Sequence, residues 1–235
     1  MNLILLEAGE AAGPLAPDDP RAVHVLKVLR RREGDLFDAG IVNGPRGKAT
    51  ISSIGPAGIA FTFEAAVEAT EPDPIHLVVA LSRPQTARKI LNEAAALGVS
   101  SIRFFQSEKG EPSYASSTLW STPEWRRHLM DGAAQAFDTS LPDVLHSSTL
   151  AECVASLPKE CLRVALDNYE SPSRLSPSLR TRPVALAFGP ERGWSGPERG
   201  LLRKEGFELA HLGTRVLRTE TAVVAALAIV KAANA

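Results

Sequence analysis

Residues 184–200 read VALAFGPERGWSGPERG, and this stretch decides the fold. Val184 to Phe188 is a continuous apolar run, the composition of a strand buried on both faces. Gly189-Pro190 then forces a sharp turn. Ser195 and Glu198 fit the S-x-x-E capping box, with Pro197 in the first turn, so a helix begins there. The loop from Gly189 to Ser195 thus sits at the carboxyl end of a strand, where open parallel sheets bind ligands. A plain tight connection between strand and helix would show the same spacing, and both readings stand at this point.

A second stretch, HLGTRVLRTETAVVAALAIV from His211 to Val230, has a similar plan. A short strand ends at Leu212-Gly213, and a loop carries Arg215 and Arg218. Thr219, Glu220 and Thr221 then open a long helix of small apolar residues. Glu220 in the first turn suits the helix dipole. The helix is apolar nearly all round, which predicts burial in the core or in a dimer interface. Two glycine-bearing loops at strand ends suggest one composite pocket.

Outward from these motifs, strands and helices alternate. Ile75 to Leu81, Ser101 to Phe105, Leu162 to Leu166 and Glu208 to Leu212 read as strands. Gln85 to Leu97 (closed by Gly98), Pro123 to Phe137, Glu198 to Lys204 and Glu220 to Ala232 read as helices. This alternation predicts an α/β domain over residues 75–235, its mostly parallel sheet covered on both faces. Residues 1–70 read differently. Strands at Leu3 to Leu6, Leu36 to Val42, Lys48 to Ile54 and Ile59 to Val67 are punctuated by Gly and Pro, the pattern of a small barrel or sandwich. One helix is expected after Pro17-Asp18-Asp19-Pro20, with Val23, Leu26 and Leu29 on its apolar face. Thr70 to Pro74 reads as a linker, its two prolines disfavouring both helix and central strand.

The formal net charge is −1, so any nucleic-acid binding must come from a local patch. Between Arg21 and Lys48 there are seven basic residues against three acids. His24, Lys27, Arg30, Arg31 and Arg32 are the candidate RNA contacts in this segment, with a solvated helix end as the alternative. Cys153 and Cys161 form no CxxC pair and have no histidine cluster beside them, so reduced thiols and no metal site are expected. The N-terminal apolar run stops at Leu6, and the run from Ala222 to Val230 is about half a membrane span. A cytoplasmic protein with no membrane association is expected. The chain has no G-x-G-x-x-G after an early strand, no Walker A motif and no G-x-S-x-G elbow, which disfavours dinucleotide, P-loop and serine-hydrolase chemistry.

FGPERGWS followed by LGTRVLRTETAV closely resembles the two cofactor motifs of the RsmE family of 16S rRNA uridine-N3 methyltransferases. HVLKVLRRREGD, His24 to Asp35, resembles the family's N-terminal RNA-binding motif, and ALGVSSIRFFQSEKG, Ala96 to Gly110, a helix-end and strand segment. The resemblance covers nearly the whole chain. It implies a PUA-like β-barrel over residues 1–70, then a SPOUT α/β domain with a C-terminal trefoil knot, in a homodimer. It implies S-adenosylmethionine held around Phe188, Gly189, Pro190, Leu212, Gly213, Val216, Leu217 and Thr221, with rRNA or the small ribosomal subunit as partner. The chain departs from the family pattern in places. The family usually shows GPEGG, where Arg192 stands here; Thr86, Asn92, Glu93, Ala96, Ala134 and Asp138 replace other characteristic residues, and of the family's E-Q-x-x-R only Gln135 is kept. The cofactor motifs are kept and the substrate-facing part is altered. A SPOUT enzyme acting on another RNA, or a catalytically silent RNA-binding paralog, are the rival readings.

Methyl transfer from a sulfonium is an in-line displacement that needs no metal, only near-attack geometry. Uracil N3 carries a proton that a base must take, or whose loss nearby cations must favour. Arg218 is the candidate cation, and Glu191 and Glu220 are the candidate acceptors. A helix-start acid and a capping arginine are the bland alternatives. Trp120, Trp125 and Trp194 could stack on a base, although packing suits each at least as well.

Overall fold

The computed structural model describes residues 3–11, 13–176 and 183–234. The chain divides into two compact units, one of residues 1–71 with 130–141, the other of 72–129 with 142–235.

In the first unit, β1 (Ile4–Leu6) lies parallel to β2 (Leu36–Ile41), and β2, β3 (Arg46–Gly55) and β4 (Gly58–Val67) form an antiparallel meander. Helix α1 (Pro20–Val23) starts as expected, with Asp19 as N-cap accepting from the Arg21 amide at 2.8 Å. It runs on as a π-helical turn over His24–Val28. Gly58 closes the β3–β4 hairpin at φ +113, and a Cβ there would collide with the Leu15 carbonyl. One core face joins Leu6, Val25, Phe37, Ile51, Ile59 and Phe61. On the other, Leu3 and Leu5 meet Ala133 and Phe137.

The second unit is a seven-stranded sheet in the order β7-β6-β5-β10-β8-β11-β9. Its strands are β5 (Asp73–Ala80), β6 (Val99–Phe105), β7 (Asp143–Ser148), β8 (Leu162–Leu166), β9 (Ser173–Arg174), β10 (Val184–Phe188) and β11 (Glu208–His211). Every ladder between them is parallel, as the alternation predicts. The helices are α2 (Pro84–Ala96), α3 (Thr118–Ser121), α4 (Glu124–Gln135, from Met130 part of the first unit), α5 (Leu150–Ala155), α6 (Gly196–Lys204) and α7 (Thr219–Asn234). Ala185 and Ala187 of β10 face a cluster with α5 and α6. The strand pleat sends Val184, Leu186 and Phe188 to the opposite face, where they too are buried. There α7 packs on β10 and α2.

Three details differ from the sequence reading. The presumed linker enters the sheet: β5 begins at Asp73, whose amide donates to the Gly98 carbonyl at 2.8 Å. The ladder to β6 is irregular between Asp73 and His76, which accommodates Pro74, a residue with no N–H to give. The helix read to Phe137 ends at Gln135, because Phe137 takes a left-handed φ of +62. Strands β7 and β9 and helices α3 and α5 are additions that the apolar pattern did not announce.

Register brings several strand ends level. Phe188 pairs with Val79 and with Leu166, and Ala210 also pairs with Leu166. The carboxyl ends of β5, β8, β10 and β11 are therefore level, and the loops that follow them gather at one edge of the sheet.

Candidate functional site

Two cavities open at this edge. The first, of about 310 Å³, lies among the loops after β8, β10 and β11 and the start of α7. Its apolar wall is Leu166, Phe188, Pro190, Trp194, Leu212, Val216 and Leu217. Its polar wall includes Asp167, Asn168, Tyr169, Glu191, Arg215 and Arg218. The volume falls within the range of small-molecule sites, about 300 to 1,000 Å³.

Buried polar contacts fix these loops. The Trp194 indole N–H donates to the Leu166 carbonyl at 2.9 Å, joining the loop after β10 to the end of β8. Its ring lies parallel to Phe105 with centroids 5.8 Å apart. A Cβ on Gly189 would sit 3.0 Å from the Trp194 ring, so glycine lets the backbone lie against the indole. The Glu198 carboxylate completes the capping box by accepting from the Ser195 amide at 2.8 Å. It also accepts from the Ser107 hydroxyl at 2.7 Å and the Glu108 amide at 3.0 Å, which ties the loop after β6 to α6.

Asp167 anchors the third loop. Its side chain is 1% exposed and accepts from Arg199 Nε at 2.5 Å and from the Tyr169 amide at 2.8 Å. Burial pushes the carboxyl up. The Arg199 guanidinium and the amides of Tyr169 and Glu170 outweigh it and hold Asp167 below the usual carboxylate range. Tyr169 itself is exposed at the cavity, with its ring against Gly193.

The second cavity, of about 560 Å³, shares Glu191, Arg218 and Thr219 with the first. Its other walls are Arg83, Gln85, Thr86 and Lys89 around the start of α2, Lys109, Glu111 and Tyr114 after β6, and Arg192 and Glu220. Glu220 pairs with Lys89 at 3.2 Å. Burial raises its carboxyl, but its own backbone N–H and Lys89 leave it below the ordinary value, so it is ionised at neutral pH.

Known proteins resemble this chain over nearly its whole length. The model of the RNA methyltransferase domain matches residues 69–231. The ribosomal RNA small subunit methyltransferase E of Treponema pallidum is 35% identical over 99% of this chain and 91% of its own length. The chain belongs to the ribosomal RNA small subunit methyltransferase E family. The methyltransferase E 1 of Borreliella burgdorferi is 28% identical over 96% of this chain and 95% of its own. A Legionella pneumophila protein solved with the bound cofactor SAM is 25% identical, with a TM-score of 0.81 over 100% of this chain and 98% of that one.

Six of the eight residues expected to hold the cofactor line one cavity. Phe188, Gly189, Pro190, Leu212, Val216 and Leu217 all line the first cavity. Gly213 and Thr221 do not: Gly213 takes φ +131 beside it, its amide donating to His211 Nδ1 at 3.0 Å, and Thr221 is exposed on α7. Glu191 and Arg218 border both cavities, whereas Glu220 borders only the second. Asp167, Asn168 and Tyr169 were missed because the sequence shows β8 without showing that it neighbours β10. Trp194 and Trp120 are buried, and Trp120 stacks with His146, so neither is a free base platform. In the first unit, Lys27, Arg30, Arg31 and Arg32 are exposed at the end of the π-helical turn and the following loop, and His24 is half-buried. Among the described residues, no group of three or more His, Cys, Asp or Glu could hold a metal ion, and no helix is long and apolar enough to cross a membrane.

Proposed function

We infer that this family member transfers the methyl group of S-adenosylmethionine to small-subunit rRNA, and we propose N3 of a uridine as the acceptor. The observation that carries the reading is the first cavity, which gathers both family motifs at the carboxyl edge of the parallel sheet. When bound, the cofactor supplies an electrophilic methyl on sulfur. Leu212, Val216, Leu217 and Phe188 offer apolar walls to an adenine, and the loop at Gly189 and Pro190 offers close backbone approach. Asp167 keeps the Tyr169 turn in place from beneath.

The displacement forms an N3–CH3 bond and breaks the CH3–S bond, and the N3 proton must leave. Glu191 and Arg218 stand where the cavities meet, so we place proton acceptance at Glu191 and stabilisation of the uracil anion at Arg218. Glu220, paired with Lys89, is the second acceptor candidate. The first unit is proposed to be the PUA-like barrel that brings His24, Lys27, Arg30, Arg31 and Arg32 to RNA. The C-terminal segment is proposed to form the trefoil knot. That reading is supported by β10 lying between β5 and β8, and by loops 189–194 and 212–218 sharing one cavity. A homodimer in the cytoplasm completes the proposal. Its support is α7, where Val224, Ala225 and Ile229 are only partly covered within one chain.

The test is incubation of the purified protein with methyl-labelled cofactor and small subunits, followed by mass mapping of nucleosides. Labelled 3-methyluridine is the expected product. Label on another nucleoside would show a different RNA target, and no label would show a silent paralog.

A further inference from the structure

Arg192 stands where the family pattern has glycine, and the methyl-donor cavity does not use it. It lines the second cavity, where five cations (Arg83, Lys89, Lys109, Arg192 and Arg218) face three acids (Glu111, Glu191 and Glu220). Three of these charges are already engaged. Lys89 is paired with Glu220, and Lys109 donates to the Trp194 carbonyl at 2.9 Å. Arg192 is exposed and makes no ion pair or hydrogen bond among the described residues. Arg83 and Arg192 line the same cavity, and two guanidinium groups on one cavity wall suit a tetrahedral anion.

We propose that the second cavity takes the acceptor nucleotide with its phosphate held between Arg83 and Arg192, its base reaching the wall shared with the first cavity. The proposal rests on the methyl-transfer reading for its orientation. The methyl donor lies on the side of Glu191, Arg218 and Thr219, so the reacting base must point there. The sugar and phosphate then extend toward Arg83 and Arg192, which line only the second cavity. Arg192 thereby gives this chain a backbone contact that a glycine at its place cannot make.

The probes are uridine 5′-monophosphate and uridine, titrated at low salt against the whole protein saturated with S-adenosylhomocysteine and followed by NMR. The wild type is expected to prefer the monophosphate by about tenfold, the scale of charge-assisted contacts to one phosphate. Arg192→Gly and Arg83→Gln should each remove most of that preference, and S-adenosylhomocysteine affinity should stay unchanged. Arg192→Lys should keep part of it. Equal binding of the two probes by the wild type, or an unchanged preference in Arg192→Gly, would overturn the phosphate site while leaving methyl transfer standing. A phosphate preference in a protein that binds no cofactor would sink the methyl-transfer reading, and with it the orientation proposed here.

Discussion

Replacing Arg199 with alanine removes the cation paired with Asp167, a residue of the first cavity's wall. The Asp167 carboxylate then keeps its burial, 1% exposed, and the Tyr169 amide, but loses its only ion-pair partner among the described residues. Glu170, 3.4 Å from the same guanidinium, is half in solvent and loses little. Breaking a buried pair from one side costs about 3 to 5 kcal/mol, because the remaining charge is uncompensated. At a urea slope of about 3 kcal/mol per M, the midpoint should fall by roughly 1 M or more. Trp120, Trp125 and Trp194 all belong to the second unit, so tryptophan fluorescence follows the unit that carries the lesion. The pH dependence has a definite sign. In the wild type the Asp167 carboxyl is depressed, so its contribution is complete above the unfolded value of about 3.9 and is lost as pH falls through the folded one. Without Arg199, burial raises the carboxyl instead, and protonation then relieves the penalty. The deficit should therefore be largest at pH 7 and shrink toward pH 5. Asp167→Asn combined with Arg199→Met removes both charges and should recover more than half of the loss. A single variant within about 1 kcal/mol of wild type, or a double variant no better than the single, would refute the reasoning.

Three further outcomes follow from the same geometry. Gly189→Ala should weaken S-adenosylmethionine binding by about tenfold in calorimetry, since its Cβ would stand 3.0 Å from the Trp194 ring and push the loop outward. Replacing Arg30, Arg31 and Arg32 together with alanine should flatten the log–log salt dependence of single-stranded RNA binding by about 2, at roughly 0.7 per phosphate contact, with cofactor affinity retained. Cys153, whose thiol burial pushes up to about 11, should resist a thiol reagent at pH 8 in the native protein and react fully once unfolded.

Much of this arrangement was readable locally. The capping box at Ser195 and Glu198, the glycine turn at Gly189 and the apolar run of β10 each declare themselves within a few residues. Strand order did not, because it depends on pairings between distant segments. Nothing in LRVAL says that β8 lies beside β10, so the Asp167–Tyr169 turn stayed unmarked although it forms a wall of the cavity. The second role of Glu198 was hidden for the same reason. A first-turn glutamate explains itself as a cap, and its bonds to Ser107 and Glu108 span about ninety residues of sequence. Asp73 and Pro74 show the opposite failure. Their composition argued against a central strand, yet a single irregularity in the ladder admits them.

Those long-range bonds also bear on how the two cavities at one edge of the sheet are held together. Under the proposed function, in-line transfer requires donor and acceptor to be held within a narrow range of separations, so the two cavities must keep their spacing. Trp194 couples them. Its indole N–H is bound to the end of β8, its ring supports Gly189 in the first cavity, and its carbonyl accepts from Lys109 in the second. Glu198 adds a second tie, joining the residues just before Lys109 to the start of α6. Both anchors are buried and hydrogen-bonded, which keeps polar groups from seeking alternative partners in solvent. A displacement of the loop after β6 must therefore pass into the loop after β10. If the first cavity holds the cofactor as proposed, substitutions at Lys109 or Ser107 should thus disturb cofactor affinity although neither residue lines that cavity.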